Sequence, residues 1–379
     1  MGASARAHPD VVVVGGGPAG VAAAVGLARS GARVVLLERD ATPRFKPGEI
    51  LEPTVKYPLL ELGLLSRFES LGSLPIAGNL SIWGTDEIVE ADVVFNPHGS
   101  GYLVDRMRME EWLIEEARLA GVVVVQGHSD IEVRAGTRCA VAWLESGRRR
   151  HARPGLVVDA TGRGAGLIRG GGRTRVDALV ALLAYVPASP ESARDQRLYL
   201  EAGPEGWWYS APLPDGRSVV AFMTDADLVP LGMERRLEML RRRLAQTRIT
   251  RRRVADGQHV VAVHTRPAMS TRRHSISGRG WVAIGDAAST YDPLSGAGVA
   301  VAMSKGTALA RLVAACPDVE RAVAAYTEAE NAAFEDYMVS YRRTYARERR
   351  WPRAVFWRRR QGAVANRSKN VRSYERGLQ

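Results

Sequence analysis

The sequence predicts an α/β protein in which a Rossmann-like nucleotide-binding domain is interrupted by a mixed-sheet α+β domain and followed by a helical C-terminal region. Three observations predict it: a valine strand running into "GGGPAG" at the start, a second glycine-rich segment "GDAASTYDPLSGAG" at 285–298, and aromatic, alternating strands between them. Each element follows in chain order.

"VVVV" at 11–14 has the composition of a short buried strand, and Ala19 to Arg29 that of a helix packed closely upon it. A strand that turns directly into a helix leaves the first helical N–H groups unpaired at the positive end of the dipole, where an anion is the natural partner. Gly15, Gly17 and Gly20 fit G-x-G-x-x-G, with Pro18 and Ala19 opening the helix. The first glycine allows the tight turn, the second admits a pyrophosphate to the backbone, and the third lets helix and strand pack. A second apolar run, Val34 to Leu37, ends at Glu38, 18 residues past Gly20 (38 − 20) and near the spacing of a ribose-binding acid, with Arg39 beside it.

"RDATPRFKPGEILEP" then reads as a loop, and "TVKYPLLELGLLSRFESLG" resumes a helical pattern. "NLSIWG" and "EADVVF" read as strands of a first excursion into the second domain. "DRMRMEEWLIEEARLAG" gives a helix with Trp112, Leu113 and Ala117 on one side, stopped at Gly121 before "VVVV". "GLVVDATGRGAG" closes that region. From about 178 to 263 the pattern changes to strands such as "WWYSAPLP" and "RSVVAFMT" with a basic helix near 234–246. "GWVAIGDAAST" returns a strand and a Gly-Asp pair before a small-residue helix, and 318–379 reads as helical and increasingly basic. The expected domains are 1–75, 101–177 and 264–317 for the nucleotide, 76–100 and 178–263 for the substrate, and 318–379 at the C-terminus.

The 379 residues are 46% hydrophobic and include 38 glycines, enough for a large core in two or three substructures. With no apolar stretch of spanning length and no apolar region in "MGASARAHPD", neither a membrane span nor a signal peptide is expected, and the cytoplasm is the default. Cys139 and Cys316 lie far apart, and His8, His98, His128, His151, His259, His264 and His274 are scattered without ligand spacing, so no metal site is expected. The net charge of +12 is concentrated in "RRRLAQTRITRRR" from 241 and "YRRTYARERRWPRAVFWRRRQ" from 341. It reads either as a solvated arginine-rich surface or as a docking face for an acidic carrier or precursor protein; no nucleic-acid-binding motif accompanies it.

"GGGPAG", "VVDATG" at 157–162 and "GDAASTYDPLSGAG", in that order, resemble the fingerprints of the FAD-dependent monooxygenase, halogenase and geranylgeranyl-reductase superfamily. The resemblance implies a discontinuous FAD-binding domain of the p-hydroxybenzoate-hydroxylase type, with a mixed-sheet substrate domain beside the isoalloxazine ring. It assigns Gly285, Asp286, Pro293, Gly296 and Gly298 to the flavin, and Arg106 to a helix start near it. On chemistry alone, Asp286 follows a buried strand where its carboxylate can accept from ribityl hydroxyls, and Gly296 and Gly298 open a helix whose N–H groups suit a flavin carbonyl or phosphate.

"KPGEILEP" resembles the halogenase G-E-x-x-x-P loop beside the flavin, with Gly48, Glu49 and Pro53 in place and Lys46 and Gly48 as cofactor-binding candidates, and "GWWYSAP" resembles the halogenase W-x-W-x-I-P motif, with Tyr209 where the second tryptophan stands and Ala211 for isoleucine. Halogenases of this kind also use a lysine downstream of the loop, and "LPIAGNLSIWG" has none. The resemblance is closest to members that oxygenate aromatic groups, including tryptophan side chains of precursor proteins. It implies hydroxylation of an aromatic, indole-type group through a flavin C4a-hydroperoxide, with Glu49, Trp207 and Tyr209 as catalytic candidates and Trp83 and Phe222 as further walls. Reducing equivalents come from NAD(P)H or from reduced flavin supplied by a partner reductase. A flavin-dependent halogenase, a double-bond reductase and a non-catalytic flavoprotein adaptor for an acidic partner are the alternatives.

Overall fold

The computed structural model describes residues 9–134, 139–164, 167–168, 172–254 and 260–361; His8, His259 and the basic tail 362–379 lie outside the described residues. The chain forms two compact units: 1–73, 104–176 and 270–332 make the first, and 74–103, 177–269 and 333–379 the second.

The first unit is built on a six-stranded sheet ordered Ser277–Gly278, Trp281–Ala283, Leu156–Asp159, Val11–Val14, Val34–Glu38, Val123–Gln126. All its pairs are parallel except the first. Parallel strands need both faces covered, and the continuous valine and leucine runs supply two apolar faces. Val12, Val14, Val35 and Leu37 pack on one side with Cys139, Val141 and Trp143 of an antiparallel three-stranded meander. Strand alternation turns Val11 and Val13 to the other side, where the helix Pro18–Arg29 packs.

That helix lies against Gly298–Ala315 through contacts that only small residues permit. A Cβ on Gly306 would fall 2.4 Å from the Ala19 carbonyl oxygen, and one on Gly26 would fall 2.6 Å from the Ala310 Cβ. Gly298–Ala315 is long and apolar enough to cross a membrane, and here this close packing makes it a core helix of the unit.

The segment expected to be one helix after the Gly-Glu loop is broken into Lys56–Glu61 and Leu65–Glu69, because Gly63 takes a left-handed conformation (φ +57) between them. The helix Arg106–Leu119 buries Leu113, Ile114 and Ala117; Ile114 takes the core position expected of Trp112, which instead packs its ring 5.7 Å from Phe68.

The second unit holds a seven-stranded sheet ordered His264–Pro267, Leu179–Pro187, Arg217–Asp225, Gly206–Pro212, Arg197–Gly203, Gly78–Ile82, Val89–Asp92. Only the Arg197–Gly203 and Gly78–Ile82 pair is parallel. The expected strand "EADVVF" ends at Asp92, whose carboxylate accepts the Val94 N–H at 2.9 Å and turns 93–95 into a short 3-10 helix. On one sheet face Trp208 and Phe222 pack with Met239, Leu240 and Leu244 of the helix Met233–Ala245. On the other, Trp207 meets the aromatic C-terminal segment described below. With both faces covered, Arg217–Asp225 is buried from Ser218 onward, which is why its sequence reads as a nearly unbroken apolar run.

Candidate active site

The glycine loop is shaped by what a side chain would strike. Gly15 sits at φ +112, and a Cβ there would lie 2.2 Å from the Ala160 carbonyl oxygen; one on Gly20 would lie 1.9 Å from the Gly15 oxygen. A Cβ on Gly17 would meet nothing within 4 Å. Gly15 and Gly20 are therefore demanded by packing, whereas Gly17 is small at a place the protein leaves open. Gly17 is the N-cap of Pro18–Arg29, with Pro18 in the first turn, no acidic side chain there and no side-chain cap. The positive end of this helix is open to an anion.

Glu38 ends the neighbouring strand beside the loop. Its carboxylate accepts the Gly16 N–H at 2.6 Å and the Asp40 N–H at 3.0 Å. Arg39 is exposed and reaches Asp40 at 3.6 Å. His128, which sequence reasoning passed over as one scattered histidine, lies buried within the field of Glu38, with Nδ1 lacking a hydrogen-bond partner among the described residues. Burial pushes its pKa down, against the opposing pull of Glu38. The available signal was positional: His128 follows the C-terminal end of a parallel strand, the edge at which such sheets bind ligands.

The late glycine segment comes to the same helix. Gly285 (φ +57) would place a Cβ 2.7 Å from the Ala19 Cβ, so only glycine lets the Gly-Asp turn abut the first turn of Pro18–Arg29. Asp286 pairs with Arg163 at 3.3 Å, and its backbone carbonyl accepts from Arg173 at 2.9 Å. Beneath it, Asp159 of "VVDATG" is fully buried and paired with Arg273 at 3.0 Å, while also accepting from the Thr161 hydroxyl at 2.6 Å. Pro293 begins a 3-10 turn capped by Asp292, and Gly296 takes the left-handed conformation (φ +66) that leads into Gly298 and its helix. A Cβ on Gly298 would meet nothing within 4 Å, so this helix start, like Gly17, is open.

The Gly48–Glu49 loop is held by the helix Arg106–Leu119, whose N-cap Asp105 accepts from the Met107 and Arg108 N–H groups. Arg106, in its first turn, is buried and donates to Glu110 at 2.6 Å and to the Gly48 carbonyl at 3.5 Å. Lys46 takes the other Glu110 oxygen at 2.6 Å. Gly48 stands at φ +112, its N–H donates to Glu49 at 2.9 Å, and the Glu49 carbonyl accepts from Val104 at 2.8 Å. Glu110 was not singled out in the sequence, although its spacing four residues past Arg106 is that of a helical ion pair.

Trp207 and Tyr209 belong to the second unit. Trp207 is fully buried, its indole N–H donating to the Tyr345 hydroxyl at 2.9 Å. Trp83 and Trp357 join the same cluster, donating to the Thr344 and Gly203 carbonyls at 3.0 and 2.8 Å. Phe222 packs 4.7 Å from Trp208 under the helix Met233–Ala245. Trp83, Trp207 and Phe222 thus act as packing in this unit, while Tyr209, on the Trp207 face of its strand, is partly exposed. The arginine-rich C-terminus is also partly internal: Arg360 is buried against Asp225 at 2.7 Å, and Arg359 bridges Asp225 and Asp227. Among the described residues, no group of three or more His, Cys, Asp or Glu side chains is arranged to hold a metal.

Two open helix N-termini, an acid at the strand end and a Gly-Asp turn abutting the first helix offer the N–H donors and carboxylate acceptors that fit FAD. Comparison with known proteins agrees: residues 8–165 match the FAD-binding domain family, and the chain is an FAD-dependent oxidoreductase. Residues 88–374 match the tryptophan halogenase family, and the chain belongs to that family. It is similar to the FAD-dependent oxidoreductase LodB of Marinomonas mediterranea, 29% identical over 93% of this chain and 96% of that protein. It is 27% identical to the tryptophan 2-halogenase of Chondromyces crocatus over 87% of this chain and 66% of that one. Among solved structures, the myxobacterial chondrochloren halogenase CndH superposes with a TM-score of 0.84 at 25% identity, covering 97% of this chain and 90% of that one. The peptidyl tryptophan dihydroxylase QhpG superposes with 0.75 at 25% identity, covering 94% and 79%.

Proposed function

We propose that the protein is an FAD-dependent monooxygenase that hydroxylates an aromatic, tryptophan-type group carried on a peptide or carrier. The observation that carries this reading is the disposition of lysine. The sequence has four, Lys46, Lys56, Lys305 and Lys369, against 49 arginines (53 − 4). Lys46 is paired with Glu110, and Lys305 is buried against Glu330 and the Tyr291 ring. The described residues of the second unit, which is read as the substrate unit, contain none. An electrophilic halogen needs an ammonium relay on the substrate side; oxygen transfer to an electron-rich ring does not. The likeness to a peptidyl tryptophan dihydroxylase supports the same reading.

In this reading the N-terminus of Pro18–Arg29, through Gly15, Gly17, Pro18, Ala19 and Gly20, holds the pyrophosphate, and Glu38 with Arg39 holds the adenosine ribose. Asp286 accepts from the ribityl hydroxyls, and the start of Gly298–Ala315 faces a ring carbonyl. Bound FAD supplies two-electron reduction and activation of dioxygen. Arg106 and Glu110 fix the Gly48–Glu49 loop, and Glu49 orients the substrate or holds its proton. Within the second unit, Tyr209 offers an aromatic face that Trp207 backs from within the core. Exclusion of water favours transfer over wasteful decay. Reduced nicotinamide or a separate flavin reductase delivers the electrons.

Halogenation is the second reading, favoured by the number of halogenases among the relatives. The two separate when reduced holoprotein is given dioxygen and an indole-bearing peptide with and without bromide. Oxygenation predicts a product one oxygen atom heavier whether or not bromide is present; a brominated product formed only with bromide overturns it.

A further inference from the structure

The Gly48–Pro53 loop carries two glutamates, and their settings differ. Glu49 is buried and accepts the Gly48 N–H at 2.9 Å. Glu52 is half-buried, and burial raises its pKa without an ion-pair partner among the described residues. Its Cγ stands 3.7 Å from the point a Cβ on Gly296 would occupy, next to the Ile50 side chain at 3.6 Å. Glu52 is therefore wedged against the backbone turn that leads into Gly298, where the Gly-Glu loop meets the late glycine segment.

The surrounding charges are committed elsewhere. On its own segment, Lys46 and the facing Arg106 share Glu110, and Lys56 follows one turn further on. On the elements packed against it, Asp292 accepts the Leu294 N–H at 2.8 Å and Lys305 is held by Glu330. Burial without compensation pushes the Glu52 carboxyl up to about 7.

We infer that Glu52 is the proton-exchanging side chain of this loop, taking one proton from solvent when the group held at the start of Gly298–Ala315 gains negative charge and releasing it when that charge is removed. The inference rests on the reading of that helix start as the flavin-ring site. The two electrons come from a reduced nicotinamide or reduced flavin and enter the flavin. Glu52 forms one O–H bond with a solvent proton, and no other protein bond is made or broken. The carboxyl thus offsets the charge of reduction at this end of the site.

The test counts protons. Holoprotein in weak buffer near pH 8, with a pH indicator, is photoreduced anaerobically, and proton uptake per flavin is compared among wild type, Glu52→Gln and Glu52→Asp. Wild type and Glu52→Asp are expected to take up about one proton more than Glu52→Gln; equal uptake in wild type and Glu52→Gln overturns the inference. Should Glu52→Gln lose its flavin, infrared titration of the proteins without flavin decides instead. A protonated-carboxyl band that disappears near neutral pH in wild type and is missing from the variant supports the role, and its absence from wild type refutes it. Failure of the wild type to bind FAD would refute the flavin reading while leaving the infrared result to judge Glu52.

Discussion

The glycine loop of the first unit and the aromatic cluster of the second occupy comparable places, each where a strand end meets a helical segment, yet they are built by opposite means. At Gly15, Gly17, Gly20, Gly285 and Gly298 the chain removes side chains, and two of those removals leave open helix starts. Around Trp207, Tyr345, Trp357 and Arg360 it packs large side chains together, giving both indole N–H groups an acceptor and the Arg360 charge a carboxylate. In the proposed reading the first region is organised around a molecule that must enter, while the second packs against itself. Substitutions at the first should therefore separate binding from stability, and substitutions at the second should not.

The largest expected effect lies in the filled region. Asp225→Ala leaves the buried Arg360 guanidinium without its carboxylate and strips Arg359 of one partner. Removing one member of a buried pair costs about 3–5 kcal/mol, so a large fall in the urea midpoint is expected, and an unchanged midpoint would show that the C-terminal segment is not anchored as described. Next comes Gly20→Ala, whose Cβ would lie 1.9 Å from the Gly15 carbonyl oxygen. Backbone must move, at a cost of about 3 kcal/mol, and stability and flavin retention should fall together in thermal melts and visible spectra.

Tyr345→Phe removes the acceptor of the Trp207 indole N–H while keeping the ring. A buried donor left unmatched costs about 1–2 kcal/mol, measurable by urea unfolding, with Trp207→Phe restoring part of it in the double variant.

Glu52→Gln is a smaller effect with a sign set by pH. The folded carboxyl sits at about 7 against an ordinary 4.5. Its contribution is intact below the ordinary value and is lost as pH rises through 7, when a charge must be held in a poorly solvated place. Glu52→Gln should match wild type near pH 4 and exceed it by about 1 kcal/mol at pH 8, after discounting for partial exposure. Parallel stability curves across that range would contradict the assignment.

The two regions also differed in how much could be read from the sequence. The glycine loop was legible because an absent side chain is a local property: Gly15, Gly17 and Gly20 stand in register with a strand, a helix and Glu38. The Gly285–Asp286 turn was legible for the same reason, although its contact with Ala19 required the fold. The partners were not. Glu110 and Arg106 are separated from Lys46 and Gly48 by an excursion through the second unit's first strands, and Trp207 finds Tyr345 138 residues away. The "WWYSAP" motif resembled a substrate wall, but a strand alternates its faces, so Trp208 and Trp207 are claimed by different helical neighbours. The arginine runs were legible in part, since most of their side chains are exposed as a solvated surface requires. Charge counts describe a surface until folding turns Arg253 and Arg360 inward, one over the Tyr199 ring and the other onto Asp225.

The sharpest test is Gly17→Ala, compared with wild type by calorimetric FAD titration and thermal melting. Gly17 sits at φ −75 and ψ 179, which alanine adopts freely, and a Cβ there meets nothing within 4 Å. The account predicts that stability without flavin stays within about 0.5 kcal/mol of wild type while FAD binding weakens about tenfold or more, a loss of at least about 1.4 kcal/mol. An alanine variant that binds FAD as tightly as wild type would contradict the claim that this gap is kept open for the cofactor.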